Sequence, residues 1–133
     1  MKKILTILLV LSTLSVFAEN VTGNYSGILN VTVDNTASEP QQRTVVVEDY
    51  GSTVKLTIQG FSYGFYYGDV IINATKDNNG KLTNAQISFA FLNPTGTFSE
   101  NSVIAGNHCY IDLTMSLYGQ VIKVQFDGSK PAN

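Results

Sequence analysis

The sequence predicts an all-β domain folded as an antiparallel, up-and-down barrel of eight strands. Three observations carry this prediction. Apolar and polar residues alternate along most segments, turn residues recur about every eight to twelve positions, and no apolar pattern with a 3.6-residue period persists beyond the N-terminal leader. Alternation places one side of a strand in a core and the other in water. Short turns between successive segments favour a meander, and closing that meander into a barrel removes exposed sheet edges.

The first part of the chain contains four predicted strands separated by turn signals. Pro40 interrupts a polar loop after the first strand, and Asp49 to Ser52 predicts a tight turn after the second. Val54, Leu56 and Ile58 alternate with polar residues in the third strand and are expected to face inward. The four predicted strands cover residues 23–34, 43–49, 53–59 and 69–75.

The second part of the chain contains four further predicted strands. Asn79-Gly80 is the strongest hairpin signal in the sequence, because these two residues accept the positive φ that tight turns require. Asn93-Pro94 ends the next strand, and Gly106-Asn107 turns the chain again. The predicted strands cover residues 82–91, a shorter segment near 97–105, residues 108–117 and residues around 122–126, followed by a loose tail over 128–133.

A transmembrane barrel is the rival architecture. Each of its strands would need an apolar outward band of about nine to eleven residues. The outward face here is polar, so a water-soluble barrel is predicted. The polar outward residues are Asn30, Thr32, Lys55, Thr57, Asp112, Thr114, Lys123 and Gln125.

The first 18 residues have the three-part pattern of a secretory signal peptide. Lys2 and Lys3 form a positive start, Ile4 to Phe17 is mostly apolar, and Ala18 ends a small-residue cleavage site. The apolar stretch is about 14 residues long, short of the roughly 20 needed to cross a bilayer. The sequence therefore predicts a signal peptide over 1–18 and a single domain over 19–133.

Charge and cysteine content narrow the classes of partner. Loss of Lys2 and Lys3 leaves six basic and ten acidic side chains, a net charge of about −4, with no basic cluster. Nucleic acid and a charged membrane surface are therefore not expected partners.

Cys109 is the one cysteine, so no internal disulfide forms. The lack of a disulfide is more typical of an exported bacterial protein than of a small secreted animal protein.

Five short segments also carry a family resemblance that covers residues 23–130. They are Gly23–Gly27, Val31–Val33, Gln42–Glu48, Gly68–Ile72 and Ile122–Gly128. These segments resemble the calycin-like, lipocalin-like β-barrel domain of exported bacterial proteins. The resemblance implies an eight-stranded barrel in the periplasm or at the cell surface of a Gram-negative bacterium. It brings no catalytic motif and no cofactor, and its lipocalin-like shape suggests a ligand cavity by analogy.

No catalytic or metal site is predicted. His108 is the only histidine, and Asp112 lies roughly 13 Å further along the same extended strand, too far to orient its ring. Cys109 belongs to the inward set and is expected to behave as a small hydrophobic residue. One histidine and one cysteine exclude the usual zinc sets. Asp77–Gly80 resembles the start of a calcium loop, but no closing ligand follows, so a hairpin turn is predicted.

The most unusual segment is residues 60–68, which is rich in aromatic and glycine residues. In an extended chain its aromatic side chains would share one face, apart from Tyr66, and the glycines would allow a bend. Two interpretations follow: rings that plug the barrel, or an aromatic lip at its mouth that stacks on a sugar or covers an apolar ligand. The candidate ligand-binding residues are Phe61, Tyr63, Phe65, Tyr66 and Tyr67.

Two functions are therefore predicted as alternatives, and neither is enzymatic. The first is a binding module for a small hydrophobic or sugar ligand, which needs a pocket of a few hundred cubic ångströms. The second is a structural or interaction domain with a filled core. The bulky inward residues that would line or fill the interior are Leu29, Leu56, Ile58, Ile72, Phe89, Leu113, Met115 and Phe126.

Overall fold

The computed structural model describes residues 20–63, 66–89 and 92–131. The predicted signal peptide over 1–18 lies outside these described residues. The ranges contain ten strands: β1 (Gly23–Val33), β2 (Thr36–Ala37), β3 (Gln41–Asp49), β4 (Thr53–Tyr63), β5 (Tyr66–Lys76), β6 (Leu82–Phe89), β7 (Thr95–Phe98), β8 (Val103–Ala105), β9 (His108–Leu117) and β10 (Gln120–Ser129).

Eight of these strands form one antiparallel sheet in the order β6-β5-β4-β3-β1-β10-β9-β7. The short strands β2 and β8 add to β1 and β9. The long strands from β1 to β6 lie next to one another in chain order, β9 lies next to β10, and β1 pairs with β10 from Ser26↔Ser129 to Val33↔Ile122. The predicted all-β, up-and-down, eight-stranded barrel is thereby confirmed.

The barrel is nearly closed, with its seam between β6 and β7. At one end of the seam β8 bridges to the start of β6. The Leu82 N–H donates to the Ser102 carbonyl at 3.0 Å, and the Ile104 N–H donates to the Gly80 carbonyl at 2.9 Å. Buried Ser102 is held in turn by Asp112, because its hydroxyl accepts from the Asp112 N–H at 2.9 Å and donates to the Asp112 carbonyl at 3.1 Å. These bonds satisfy polar groups that the seam would otherwise leave unpaired.

Side chains alternate between core and solvent as the sequence predicts. In β9 the odd-numbered residues from Cys109 to Leu117 are all buried, and in β4 Val54, Leu56 and Ile58 are buried. Ile28, the exception to the pattern in β1, is 39% exposed. The inward faces of all the long strands therefore meet in one core cluster.

Several strand boundaries differ from the prediction. β4 and β5 extend to Tyr63 and back to Tyr66, so they are longer than predicted. The segment near 97–105 is two strands, β7 and β8, because a turn at 99–102 separates them. The tail begins later than expected, since Gly128 still pairs with Gly27. Cross-strand pairing extends β4, β5 and β10 past the glycines that predict their ends.

Gly27 is required by a close approach of two strands. A Cβ atom at this position would lie 2.0 Å from the Asp127 carbonyl oxygen and 2.4 Å from the Gly128 Cα. Both are backbone atoms, so relief of the clash requires β1 and β10 to separate. Gly27→Ala is expected to lower the free energy of unfolding by about 2 kcal/mol, as overpacking does.

Urea denaturation followed by circular dichroism measures this loss. The matched control is Ser26→Ala, one residue earlier and exposed, which should shift stability by less than about 0.5 kcal/mol. Equal stability of the two variants would show that β1 and β10 do not approach each other as described.

Candidate functional site

The aromatic segment is the tip of the β4–β5 hairpin, not one extended stretch. Phe61 pairs with Gly68, Ser62 with Tyr67, and Tyr63 with Tyr66. The register shifts between Ile58 and Phe61, so that two residues of β4 stand opposite Asp69 alone. Such a β-bulge bends the strand. Gly60 adopts a φ of 72° there and donates its N–H to Asp69 Oδ1 at 3.2 Å.

The predicted common face of Phe61 and Tyr67 is wrong. Phe61 is 1% exposed and packs edge-to-face on Phe89, with ring centroids 5.2 Å apart, whereas Tyr67 is 74% exposed. The chain reverses between them, so Tyr67 stands opposite Ser62, and Ser62 faces away from the core. Phe61 is therefore a core residue, as the plug interpretation expects.

Of the other candidate ligand-binding residues, only Tyr67 has a described side chain. Phe65 lies outside the described residues, as do the side chains of Tyr63 and Tyr66. Tyr67 lies on the outer wall, where its hydroxyl and the Arg43 side chain both lie near Gly60. The Arg43 Nε donates to the Gly60 carbonyl at 3.2 Å. An aromatic lip thus stays a prediction for the hairpin tip, and Tyr67 and Phe61 do not form it together.

The space between the barrel walls is occupied by a single cluster of buried hydrophobic side chains. Its larger members include Tyr25, Phe61, Phe89 and Phe126, each at most 2% exposed. The Tyr25 hydroxyl donates to the Val21 carbonyl at 2.7 Å, so this buried polar atom has a partner. Every bulky residue predicted to face inward is buried in this cluster: Leu29, Leu56, Ile58, Ile72, Phe89, Leu113, Met115 and Phe126.

His108 is a surface residue, as predicted, but it has an acidic partner that the sequence did not suggest. Its Nε2 lies 3.0 Å from Asp127 Oδ1, and its Nδ1 lies 3.5 Å from the Ser129 hydroxyl. The partner comes from β10 through the Ser129↔His108 register, and not from Asp112 on the same strand. The His108 and Asp127 side chains are 51% and 65% exposed. Water therefore screens this pair on the outer wall, and the trio lacks the enclosed setting of a hydrolase triad.

Cys109 is fully buried, as predicted. Burial, assisted by the negative charge of Asp127, raises the pKa of its thiol to about 12. Native protein is therefore expected to resist a thiol-specific aromatic disulfide reagent at mildly alkaline pH, because the reactive thiolate is scarce and shielded. Unfolding in guanidinium should release one reactive thiol per chain, measured by absorbance. Rapid labelling of the native protein would contradict this arrangement.

A polar pocket of about 570 Å³ lies at the end of the barrel formed by the β3–β4 and β5–β6 turns. We call it the end pocket. Four separate segments build it: residues 20–21 before β1, the β3–β4 turn with Asp49, Gly51 and Ser52, residues 76–80, and Ile104 of β8. Its volume is typical of sites for small ligands.

The β5–β6 turn forms one wall of the end pocket and confirms the predicted hairpin. Gly80 adopts a φ of 83° and donates its N–H to the Asp77 carbonyl at 3.0 Å. Asp77 Oδ1 accepts the N–H groups of Asn79 and Lys81 at 2.8 and 2.9 Å. These bonds hold the exposed Asn78 and Asn79 at the rim of the pocket.

A shielded ion pair also lines the end pocket. Asp49 Oδ2 lies 3.0 Å from Lys76 Nζ, and the two side chains are only 3% and 9% exposed. Asp49 also accepts the N–H of Val21 at 2.9 Å and that of Gly51 at 2.8 Å. Burial raises the pKa of the Asp49 carboxyl, but these N–H groups and Lys76 together lower it below its ordinary value of 3.8. One carboxylate thus ties the N-terminal segment, the β3–β4 turn and β5 together.

The end pocket is not evident from the sequence, because its walls come from four segments that lie far apart in the chain. The available signal was two polar turns, 49–52 and 77–80, which a meander places at the same end of the barrel. Within the described ranges, no group of three or more His, Cys, Asp or Glu side chains could hold a metal ion. The same ranges include no helix long and apolar enough to span a membrane.

The fold and the pocket define a small antiparallel β-barrel with a packed core and a polar depression at one end. The chain matches no protein-family model, no curated protein and no solved structure.

Proposed function

We propose that the protein is an exported, non-catalytic binding domain that holds a saccharide in the end pocket. The single observation that carries this proposal is the contrast between the interior of the barrel and its turn end. A hydrophobic cluster occupies the barrel interior, whereas a polar pocket of about 570 Å³ opens at the turn end. A ligand would therefore bind at the end of the barrel, and the barrel itself would serve as a rigid support.

The chemistry of the end pocket supports a neutral ligand rich in hydroxyl groups. The charges of Asp49 and Lys76 offset each other at 3.0 Å, and Asp77 already accepts backbone N–H groups. Ser52, Asn78 and Asn79 add a hydroxyl and two amide side chains to the lining of the pocket. Amide and hydroxyl groups can donate and accept at once, which suits the hydroxyls of a sugar.

Export and family membership are part of the proposal and rest on sequence. The pattern of residues 1–18 supports a signal peptide. The five resembling segments, together with the eight-stranded barrel, support membership of the calycin-like domain family. A location in the periplasm or at the surface of a Gram-negative cell would give such a domain access to polysaccharides. N-terminal sequencing of protein secreted by an expressing cell should begin at Glu19.

A glycan array probed with the protein lacking residues 1–18 tests the proposed function. We expect binding to a subset of neutral glycans. The double variant with Asn78→Ala and Asn79→Ala should weaken that binding about tenfold, equivalent to the loss of one or two hydrogen bonds. Asn107→Ala, an exposed residue in the β8–β9 turn outside the pocket, is the matched control. Absence of binding to every glycan would overturn the proposal.

The second candidate is a structural or interaction domain. The observation that favours it is the cluster of buried hydrophobic side chains inside the barrel. A structural or interaction domain needs such a core, whereas a lipocalin-like binding protein would have an internal cavity instead. Tyr50 and Tyr118, two of the exposed large hydrophobic residues, lie at opposite ends of the barrel and therefore do not form one surface together. This candidate would replace the first one if no glycan binds the folded protein.

A further inference from the structure

A second depression lies on the outer wall directly beside the end pocket. Its volume is about 290 Å³, and we call it the side pocket. It is formed on the outer face of β4, β5 and β6. Cross-strand pairs supply its polar groups: Thr53 stands opposite Thr75, and Asn73 stands opposite Gln86.

A β-bulge shapes the side pocket. Two steps along β5, from Asn73 to Thr75, are matched by three steps along β6, from Gln86 to Thr83. Asn84 lies in this bulge and has a φ of 56°. Its Nδ2–H donates to Thr75 Oγ1 at 3.3 Å. The bulge bends the strand locally and re-aims side chains on this face. A regular strand would leave the face flatter.

The two pockets share the β3–β4 turn as a common rim. Gly51 and Ser52 line the end pocket, while their neighbours Tyr50 and Thr53 line the side pocket. Tyr50 is 65% exposed and its hydroxyl lies 3.4 Å from Glu48 Oε1. An exposed ring of this kind provides an apolar surface with a polar edge, which suits contact with the face of a sugar ring.

The residues that line the side pocket include three amide side chains, two threonines and one tyrosine, and none of them is charged. A strongly anionic or cationic ligand would find no counter-charge among these described residues. A purely apolar ligand would leave the amides without partners, which costs free energy. Neutral hydroxyl-rich chemistry therefore fits the side pocket as well as the end pocket.

We infer that the side pocket is a second sugar subsite, and that the ligand is a linear neutral oligosaccharide crossing the β3–β4 turn with a ring on Tyr50. This inference rests on the proposed function and adds the length and path of the ligand. Contacts at both subsites then act on one chain, so affinity rises with oligosaccharide length until both pockets are filled.

Calorimetric titration with chitin-, cellulose- and maltose-type oligosaccharides, from monosaccharide to hexasaccharide, tests the inference. For at least one series the affinity should rise about tenfold or more with length and then level off. Tyr50→Ala should remove most of this gain while leaving the affinity for the shortest bound sugar unchanged. The double variant with Asn73→Ala and Gln86→Ala should act in the same direction. Tyr118→Ala, similarly exposed at the other end of the barrel, is the control.

The outcomes separate the two proposals. Binding that is independent of length, or an equal loss of short and long sugars in Tyr50→Ala, would overturn the second subsite and leave the end pocket standing. Binding of no sugar by folded wild-type protein would overturn both. Circular dichroism of each variant verifies that the barrel remains folded.

Discussion

Phe61→Ala should lower the free energy of unfolding by about 4 kcal/mol, the largest effect expected for a single substitution considered for this protein. Phe61 is 1% exposed and packs edge-to-face on Phe89 in the core. Removing the ring loses its transfer free energy and leaves a cavity that the surrounding strands fill only in part. Urea denaturation followed by circular dichroism is the suitable measurement, because the chain contains no tryptophan.

Two further variants keep this prediction testable if Phe61→Ala does not fold. Phe61→Leu retains much of the buried volume and should lose only about 1–2 kcal/mol. Tyr67→Ala, 74% exposed six residues later in the same hairpin, should change stability by less than about 0.5 kcal/mol. Similar losses for Phe61→Leu and Tyr67→Ala would mean that the two rings do not lie on opposite faces.

Asp49→Ala should lower the free energy of unfolding by about 3 kcal/mol. The substitution removes the carboxylate that lies 3.0 Å from the Lys76 ammonium, whose side chain is only 9% exposed. It also removes the acceptor of the Val21 and Gly51 N–H groups. Removing one member of a buried ion pair costs more than the pair contributes, because the remaining charge stays desolvated. Chemical denaturation measures the loss.

The adjacent residue supplies the control for Asp49. Glu48 lies 3.8 Å from Lys55, with side chains 45% and 38% exposed, so this pair is screened by water. Glu48→Ala should therefore cost less than about 0.5 kcal/mol. If Glu48→Ala and Asp49→Ala were equally destabilising, burial of the Asp49–Lys76 pair could not explain the effect.

The same carboxylate makes stability depend on pH. The pKa of Asp49 is lower in the folded state than its ordinary value of 3.8, through its N–H donors and Lys76 acting against burial. The stabilisation that the Asp49 carboxylate contributes is therefore complete at pH values above 3.8. It is lost as the pH falls through the lower pKa that Asp49 has in the folded protein. The pKa of Asp77 is also lowered, chiefly by the Lys81 and Asn79 N–H groups. Comparing wild type with Asp49→Asn between neutral pH and about pH 2 isolates Asp49: the stability difference should shrink on acidification.

Much of the fold follows from local pattern. In β9 and β10 strict alternation predicts which side chains are buried, and each of Cys109, Leu113 and Phe126 is. The hairpin at Asn79-Gly80 can also be predicted locally, because glycine accepts the positive φ that Gly80 adopts there. The strand ends near Gln59 and Asp69 were less predictable, since the glycines there signal either a turn or a bulge.

The candidate site shows where this local information ends. Asp49 and Lys76 each look like an ordinary charged residue at a strand end, and only the β3–β4–β5 ladder brings them to 3.0 Å. His108 likewise meets Asp127 through cross-strand register with β10, not through sequence spacing. Alternation alone places Phe61 and Tyr67 on one face, whereas the chain reversal between them puts Phe61 in the core and Tyr67 on the outer wall.

Alternation and the spacing of turn residues are enough to predict the all-β class, the eight main strands and the inward side of most of them, because both are local properties of the chain. The tertiary structure alone decided the filled interior, the end pocket, the side pocket and the buried ion pair. Those features join residues tens of positions apart. Their formation depends on strand register and closure, which are set by packing over the whole barrel and not by any one segment.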